Sequence, residues 1–163
     1  MHDRGDRALW KPLLASAAGW SGVAVLGGIA TTIGPWYWAL KKPWFQPPDW
    51  AFGPAWTLIF ALTAIASAMA WRAGPDNAGR RRWVSALVLN GLLNVAWSVL
   101  FFYLRRPDLA LIEVGLLWLS IAVLVWMARS RSSPAALLLV PYLVWVSFAA
   151  VLNAAVVRLN APF

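Results

Sequence analysis

The 163-residue sequence is long enough for one domain, and its 61% hydrophobic and 12% charged content departs from the ~45–50% and ~25% of soluble chains. That composition excludes an ordinary soluble domain and points to a membrane protein. The net charge of +8 sits in short basic clusters between long apolar runs, which read as topology signals and exclude a nucleic-acid partner, and the lack of cysteine excludes disulfides, thiolate metal sites and palmitoyl anchors.

Residues 1–11, MHDRGDRALWK, are polar and basic. The apolar run behind them is too long for a signal-peptide core and lacks a small-residue cleavage site, so a retained first span is expected over residues 12–33. That run is uncharged, and a helix needs about 20 apolar residues to cross a bilayer. Its Gly, Ala, Ser and Thr residues, from Ala15 to Gly19 and from Gly27 to Thr32, predict close packing on neighbouring helices rather than contact with lipid.

A loop is expected over residues 34–50. The stretch Lys41–Trp56, KKPWFQPPDWAFGPAW, carries Trp44, Phe45, Trp50, Phe52 and Trp56 among Pro43, Pro47, Pro48 and Pro54. Prolines fix φ and remove donors, which predicts a stiff, mostly non-helical loop. Two readings fit: a lid over a pocket, or an aromatic belt at the membrane interface.

The second span is expected at 51–71, entered through Gly53 and Pro54 and closed by Arg72. A turn with Gly74, Pro75, Asp76, Asn77 and Gly79 leads to a basic clamp, Arg80–Arg82. The third span, 83–104, stops at Arg105 and Arg106. Pro107 suits a first helical turn and opens the fourth, 107–128. Arg129, Arg131 and the turn Ser132–Pro134 precede the fifth, 135–157, with Arg158 behind it.

These runs are far too long for barrel strands, so the fold class is an all-α integral membrane protein, one domain over 1–163 and a single bundle of five transmembrane helices. One side holds Arg4, Arg7, Lys11, Arg72, Arg80, Arg81, Arg82, Arg129 and Arg131; the other holds Lys41, Lys42, Arg105, Arg106 and Arg158. The positive-inside rule then puts the N-terminus in the cytoplasm and the Lys41 loop outside.

Polar residues inside spans are costly unless paired. Asn90, Asn94, Trp97 and Phe101 share one helical face, either as interhelical glue or as a cavity wall. Glu113 is the one acid well inside a span, either protonated or paired with an amide, an indole or a backbone donor. No second titratable group accompanies it, so paired acid–base catalysis is not supported. Tyr142, Trp145, Ala149 and Asn153 line one side of the fifth span, beside a kink expected at Pro141; pocket wall and ordinary packing both fit. The single histidine is His2, so no metal site is expected. A bound tetrapyrrole would be held by burial and stacking rather than by iron ligation.

Four segments carry a resemblance: Trp36-Tyr37, KPWFQPPDWAFGPAW (residues 42–56), LNVAWSVLFF (93–102) and PYLVWVSFAAVLN (141–153), in a chain with 13 Trp. Together they are similar to the translocator protein family, also called tryptophan-rich sensory protein or TspO, of the bacterial type. The resemblance implies a five-helix membrane protein, commonly a homodimer, that binds protoporphyrin IX or haem as ligand in a pocket capped by the first long loop, with no tightly bound cofactor. Eukaryotic members also bind cholesterol and benzodiazepine-type ligands; bacterial members are linked to tetrapyrrole-dependent regulation and to light- or oxygen-dependent porphyrin breakdown. By position, Trp56 and Trp145 match the pocket tryptophans implicated in that breakdown. Asn90, Asn94 and Trp97 match third-helix positions, Asn90 standing where Gln occurs. Ala149 matches a small residue whose enlargement alters binding. Trp36, Trp44, Pro47 and Pro48 match the lid, while Tyr142 and Asn153 complete the fifth-helix face. Ser98 and Val99 stand where some members have Pro-Pro, which implies a less kinked third helix. Ala154 stands where the proposed cholesterol motif needs Tyr, which argues against sterol recognition by that motif. The resemblance thus implies a tetrapyrrole-binding sensor, regulator or transporter. Its alternatives are porphyrin degradation through Trp56 and Trp145, with no other catalytic residue, and a lipid-interacting structural protein.

Overall fold

The computed structural model describes residues 9–74 and 76–163. His2, Arg4 and Arg7 of the tail, and Pro75 of the second turn, lie outside the described residues. Five helices among the described residues are long and apolar enough to cross a membrane. They are α1 (Trp10–Ala30), α3 (Asp49–Arg72), α4 (Asn77–Ser98) prolonged by a π-helical turn (Val99–Tyr103), α5 (Pro107–Arg129) and α6 (Ser133–Asn160), with a short α2 (Pro35–Ala39) between the first two spans. Even the 21 residues of α1 reach about 30 Å, the thickness of the hydrocarbon core. The five-span all-α fold read from the sequence is the fold observed.

The spans pack as a ring. α1 lies against α3, α3 against α6, α6 against α5, α5 against α4, and α4 returns to α1. One end of the ring is plugged. Trp83 is fully buried among Ala66, Ala70, Leu124, Ala128, Ala135 and Leu139, and its indole N–H donates to the Ser67 carbonyl at 3.1 Å. The alanines let α3, α5 and α6 approach closely, and one large ring fills what remains. The other end is aromatic and irregular, built from Tyr37, Phe101 and Val156 with Trp36, Trp97 and Phe102 packed around them.

Several boundaries differ from expectation, each for a local reason. α4 begins at Asn77, so Arg80–Arg82 are helical rather than a clamp in a loop; the Asp76 carboxylate caps the helix by accepting from the Gly79 N–H at 2.6 Å. α3 begins at Asp49, directly after the extended Pro48, and contains Gly53 and Pro54. The second half of Lys41–Trp56 is therefore helix, because a proline this near a helix N-terminus removes only one intrahelical bond. α6 starts at Ser133, where the Ser132 hydroxyl accepts from the Ala135 N–H at 3.4 Å, and it continues through Pro141.

α1 corrects the packing expectation for its small residues. Only Trp20 and Ala30 of this helix are buried, and nothing lies within 4 Å of a side chain added at Gly19, Gly22 or Gly28. One close approach does exist: a Cβ at Gly91 of α4 would meet Val23 of α1 at 3.0 Å. Ala17, Ser21, Ala24, Gly27 and Gly28 of α1 border a hollow inside the ring, while Ala15, Ala18, Gly19 and Gly22 are exposed off that wall.

Candidate ligand-binding site

That hollow is a cavity of about 720 Å³, within the ~300–1,000 Å³ typical of small-molecule sites. On the α1 side its wall combines Trp20 and Val23 with Ala17, Ser21, Ala24, Gly27 and Gly28; the short side chains among them leave the volume open. Phe52, Trp56 and Phe60 come from α3 and Trp145, Ala149 and Asn153 from α6, each set at four-residue steps that place it on one helical face. Asn94, Trp97, Phe101 and Phe102 complete the wall from α4 and its π turn.

The aromatic rings are braced against one another. Trp56 stacks on Phe60 (5.2 Å between centroids, 29°) and meets Trp145 edge-on (6.4 Å, 83°) and Tyr142 edge-on (6.0 Å). Phe52 meets Trp145 edge-on at 5.8 Å, and Trp97 stacks on Phe101 at 5.1 Å. Such offset-stacked and edge-on pairs each contribute beyond simple burial. The π turn closes through the Leu104 N–H to the Val99 carbonyl, five residues back, at 2.9 Å, and the chain leaves it through Arg105 at φ 55°. Its wider winding starts where Ser98-Val99 predicted a less kinked helix, and both Phe101 and Phe102 reach the wall.

Half of the sequence-derived site residues line the cavity: Trp56, Asn94, Trp97, Trp145, Ala149 and Asn153. Wall and glue prove to be one arrangement for the amides. Asn94 donates to the Tyr142 hydroxyl at 3.0 Å, Trp97 donates to the Asn153 side-chain carbonyl at 3.1 Å, and Asn153 donates to the Pro107 carbonyl at 2.9 Å. Asn90 and Tyr142 stand behind the wall. Asn90 is fully buried and donates to the Ser120 hydroxyl at 2.7 Å, and Tyr142 supports Trp20 and Trp56 from behind. Glu113 is buried off the wall, and among the described residues neither carboxyl oxygen has a hydrogen-bond partner, so of the two readings the paired one is not seen there.

Trp36, Trp44, Pro47 and Pro48 are also absent from the wall. Trp36 packs edge-on against Phe101 at 6.2 Å. Trp44 is 96% exposed, as a belt residue would be, and Pro48 delivers extended backbone into α3. The loop reaches the cavity instead through Tyr37, Lys42 and Gln46, with Asp49 beside them at the start of α3. The Tyr37 hydroxyl donates to Asp49 at 2.9 Å, Gln46 donates to the Tyr37 oxygen at 3.2 Å, and the Lys42 ammonium lies 3.7 Å from Asp49 and 3.9 Å from the centre of the Tyr37 ring. Burial, reinforced by the Asp49 hydrogen bond, pushes the Tyr37 hydroxyl up to about 12, so it remains a neutral donor. Trp20, Phe52 and Phe60 were missed as well, although the spacing of Phe52, Trp56 and Phe60 was a legible signal.

Comparison with known proteins agrees with the architecture. The model of the TspO/MBR family matches residues 13–159. The chain is 43% identical over 131 residues to the tryptophan-rich protein TspO of Chlorobaculum tepidum, covering 77% of this chain and 80% of that one. It is 32% identical over 155 residues to the tryptophan-rich sensory protein of Cereibacter sphaeroides (95% and 93% covered) and 36% identical over 124 residues to the translocator protein of Ovis aries (72% and 70%). With its five spans around an aromatic cavity, the chain is an integral membrane protein and belongs to the TspO/MBR family.

Proposed function

We propose that the protein binds a tetrapyrrole, protoporphyrin IX or haem, in the ring cavity and acts as a membrane sensor, regulator or transporter for it. The observation that carries this reading is the braced aromatic wall of Trp56, Phe60, Phe52 and Trp145, with a second stacked pair, Trp97 and Phe101, on the same cavity. A flat macrocycle gains apolar burial and ring stacking there. Among the described residues the wall offers no imidazole or thiolate, and we assign the contact to the ring rather than to a metal. The names of the sensory and translocator relatives support sensing or transfer. We place the N-terminus in the cytoplasm of a bacterial cell membrane on the basic-residue bias, and assign the molecule to homodimers.

Tryptophan-fluorescence titration in darkness tests the binding. Saturable quenching by protoporphyrin IX is expected, weakened about 5- to 30-fold in Trp145→Ala or Trp56→Ala, the scale of ~1–2 kcal/mol of lost ring contact. Unchanged affinity in both variants would reject the cavity as the site. A second reading, oxidation of bound porphyrin by molecular oxygen in light, is favoured by the 6.4 Å approach of Trp56 and Trp145. Illumination that yields no protein-dependent product contradicts it.

A further inference from the structure

The tetrapyrrole reading leaves open what a ligand's polar edge meets, and the loop end of the cavity supplies an answer. The polar groups deep in the wall are neutral and already engaged: Asn94 with Tyr142, Trp97 with Asn153, and Asn153 with the Pro107 carbonyl. Among the described residues Lys42 is the one cation on the wall. Resting on that reading, we infer that Lys42 is the recognition point for a carboxylate carried at one edge of the flat ligand, and that it leaves Asp49 to make this contact.

Asp49 does not depend on Lys42. Its Oδ1 accepts from the Tyr37 hydroxyl at 2.9 Å and from Gln46 at 3.4 Å, and it sits in the first turn of α3, where the helix dipole favours a negative charge. The Lys42 contact, by contrast, is long at 3.7 Å, between side chains 27% and 40% exposed; ion pairs this open are weak and exchange readily. The Tyr37 ring, 3.9 Å from the ammonium, keeps the charge at the cavity through a cation–π contact while leaving its N–H donors free. A ligand carboxylate therefore gains a charge-assisted bond without stranding Asp49. The ligand class this specifies is a planar apolar acid, ring inward and acid group toward the loop.

The test titrates purified protein in zwitterionic vesicles, in darkness, with protoporphyrin IX and with its dimethyl ester, which keeps the ring and removes the charge. The wild type is expected to bind the free acid about tenfold more tightly, the scale of one charge-assisted contact. Lys42→Met should abolish this preference by weakening the acid alone, Lys42→Arg should keep it, and Arg105→Gln, a charge off the wall at the same end, should leave it unchanged. Equal binding of acid and ester by the wild type, or the same acid-to-ester ratio in Lys42→Met, overturns the Lys42 assignment while the cavity reading stands. Failure of both compounds to bind the wild type overturns both.

Discussion

Trp83 and Tyr37 mark the opposite ends of the ring, and each makes a residue-scale prediction. Trp83 is fully buried with its indole N–H bonded, so Trp83→Ala is expected to cost about 3–5 kcal/mol. It should lower the thermal midpoint while the folded fraction binds porphyrin as before; a wild-type midpoint contradicts the plug. The Tyr37 hydroxyl, raised from 10.0 to about 12, holds its proton more tightly folded than unfolded. Its stabilising contribution is therefore complete below about pH 10 and lost as the pH rises toward 12. Melting across that window should decline less steeply in Tyr37→Phe than in wild type, and identical slopes count against the burial of the Tyr37 hydroxyl and its bond to Asp49. At this scale, Asn94, Trp97, Trp145 and Asn153 were legible because helical periodicity fixes which face a residue takes. Tyr37, Lys42 and Asp49 were not, since their meaning arises only when loop and α3 meet.

Among the elements, the loop is tied to the end of α6 at Lys41. Asn160 at the end of α6 grips its first residue from both sides, accepting from the Lys41 N–H at 2.8 Å and donating to the Lys41 carbonyl at 2.9 Å. Asn160→Ala should free residues 40–48, seen as faster amide exchange there and faster porphyrin release with little change in the thermal midpoint; unaltered exchange would assign the loop's restraint elsewhere. The spans themselves were readable because hydrocarbon demands long uncharged helices. The fourth begins at Pro107 as expected, but the start of α4 was not legible: Arg80–Arg82 carry loop composition, yet the Asp76 cap draws them into helix. The π turn has no composition signal of its own. It carries Phe101 and Phe102 into contact with Trp97, an arrangement set by packing rather than by composition.

For the whole molecule, the decisive property is that five helices close a ring plugged at the Trp83 end and hollow toward the loop. The sequence announced the five helices and their aromatic faces. It could not announce the order α1–α3–α6–α5–α4 around the ring, nor that Ala17, Ser21, Ala24 and Gly28 of α1 serve to leave space. The central claim, that this hollow is the ligand site, is tested most directly by filling it. Ala149 lies on the wall, half-exposed to the cavity side of α6 between Trp145 and Asn153, and Ala149→Phe places a ring in the volume while leaving the hydrogen bonds of the wall in place. Fluorescence titration with protoporphyrin IX should then show affinity reduced at least tenfold in a protein that melts within a few degrees of wild type, whereas wild-type affinity in a folded Ala149→Phe protein would contradict the account.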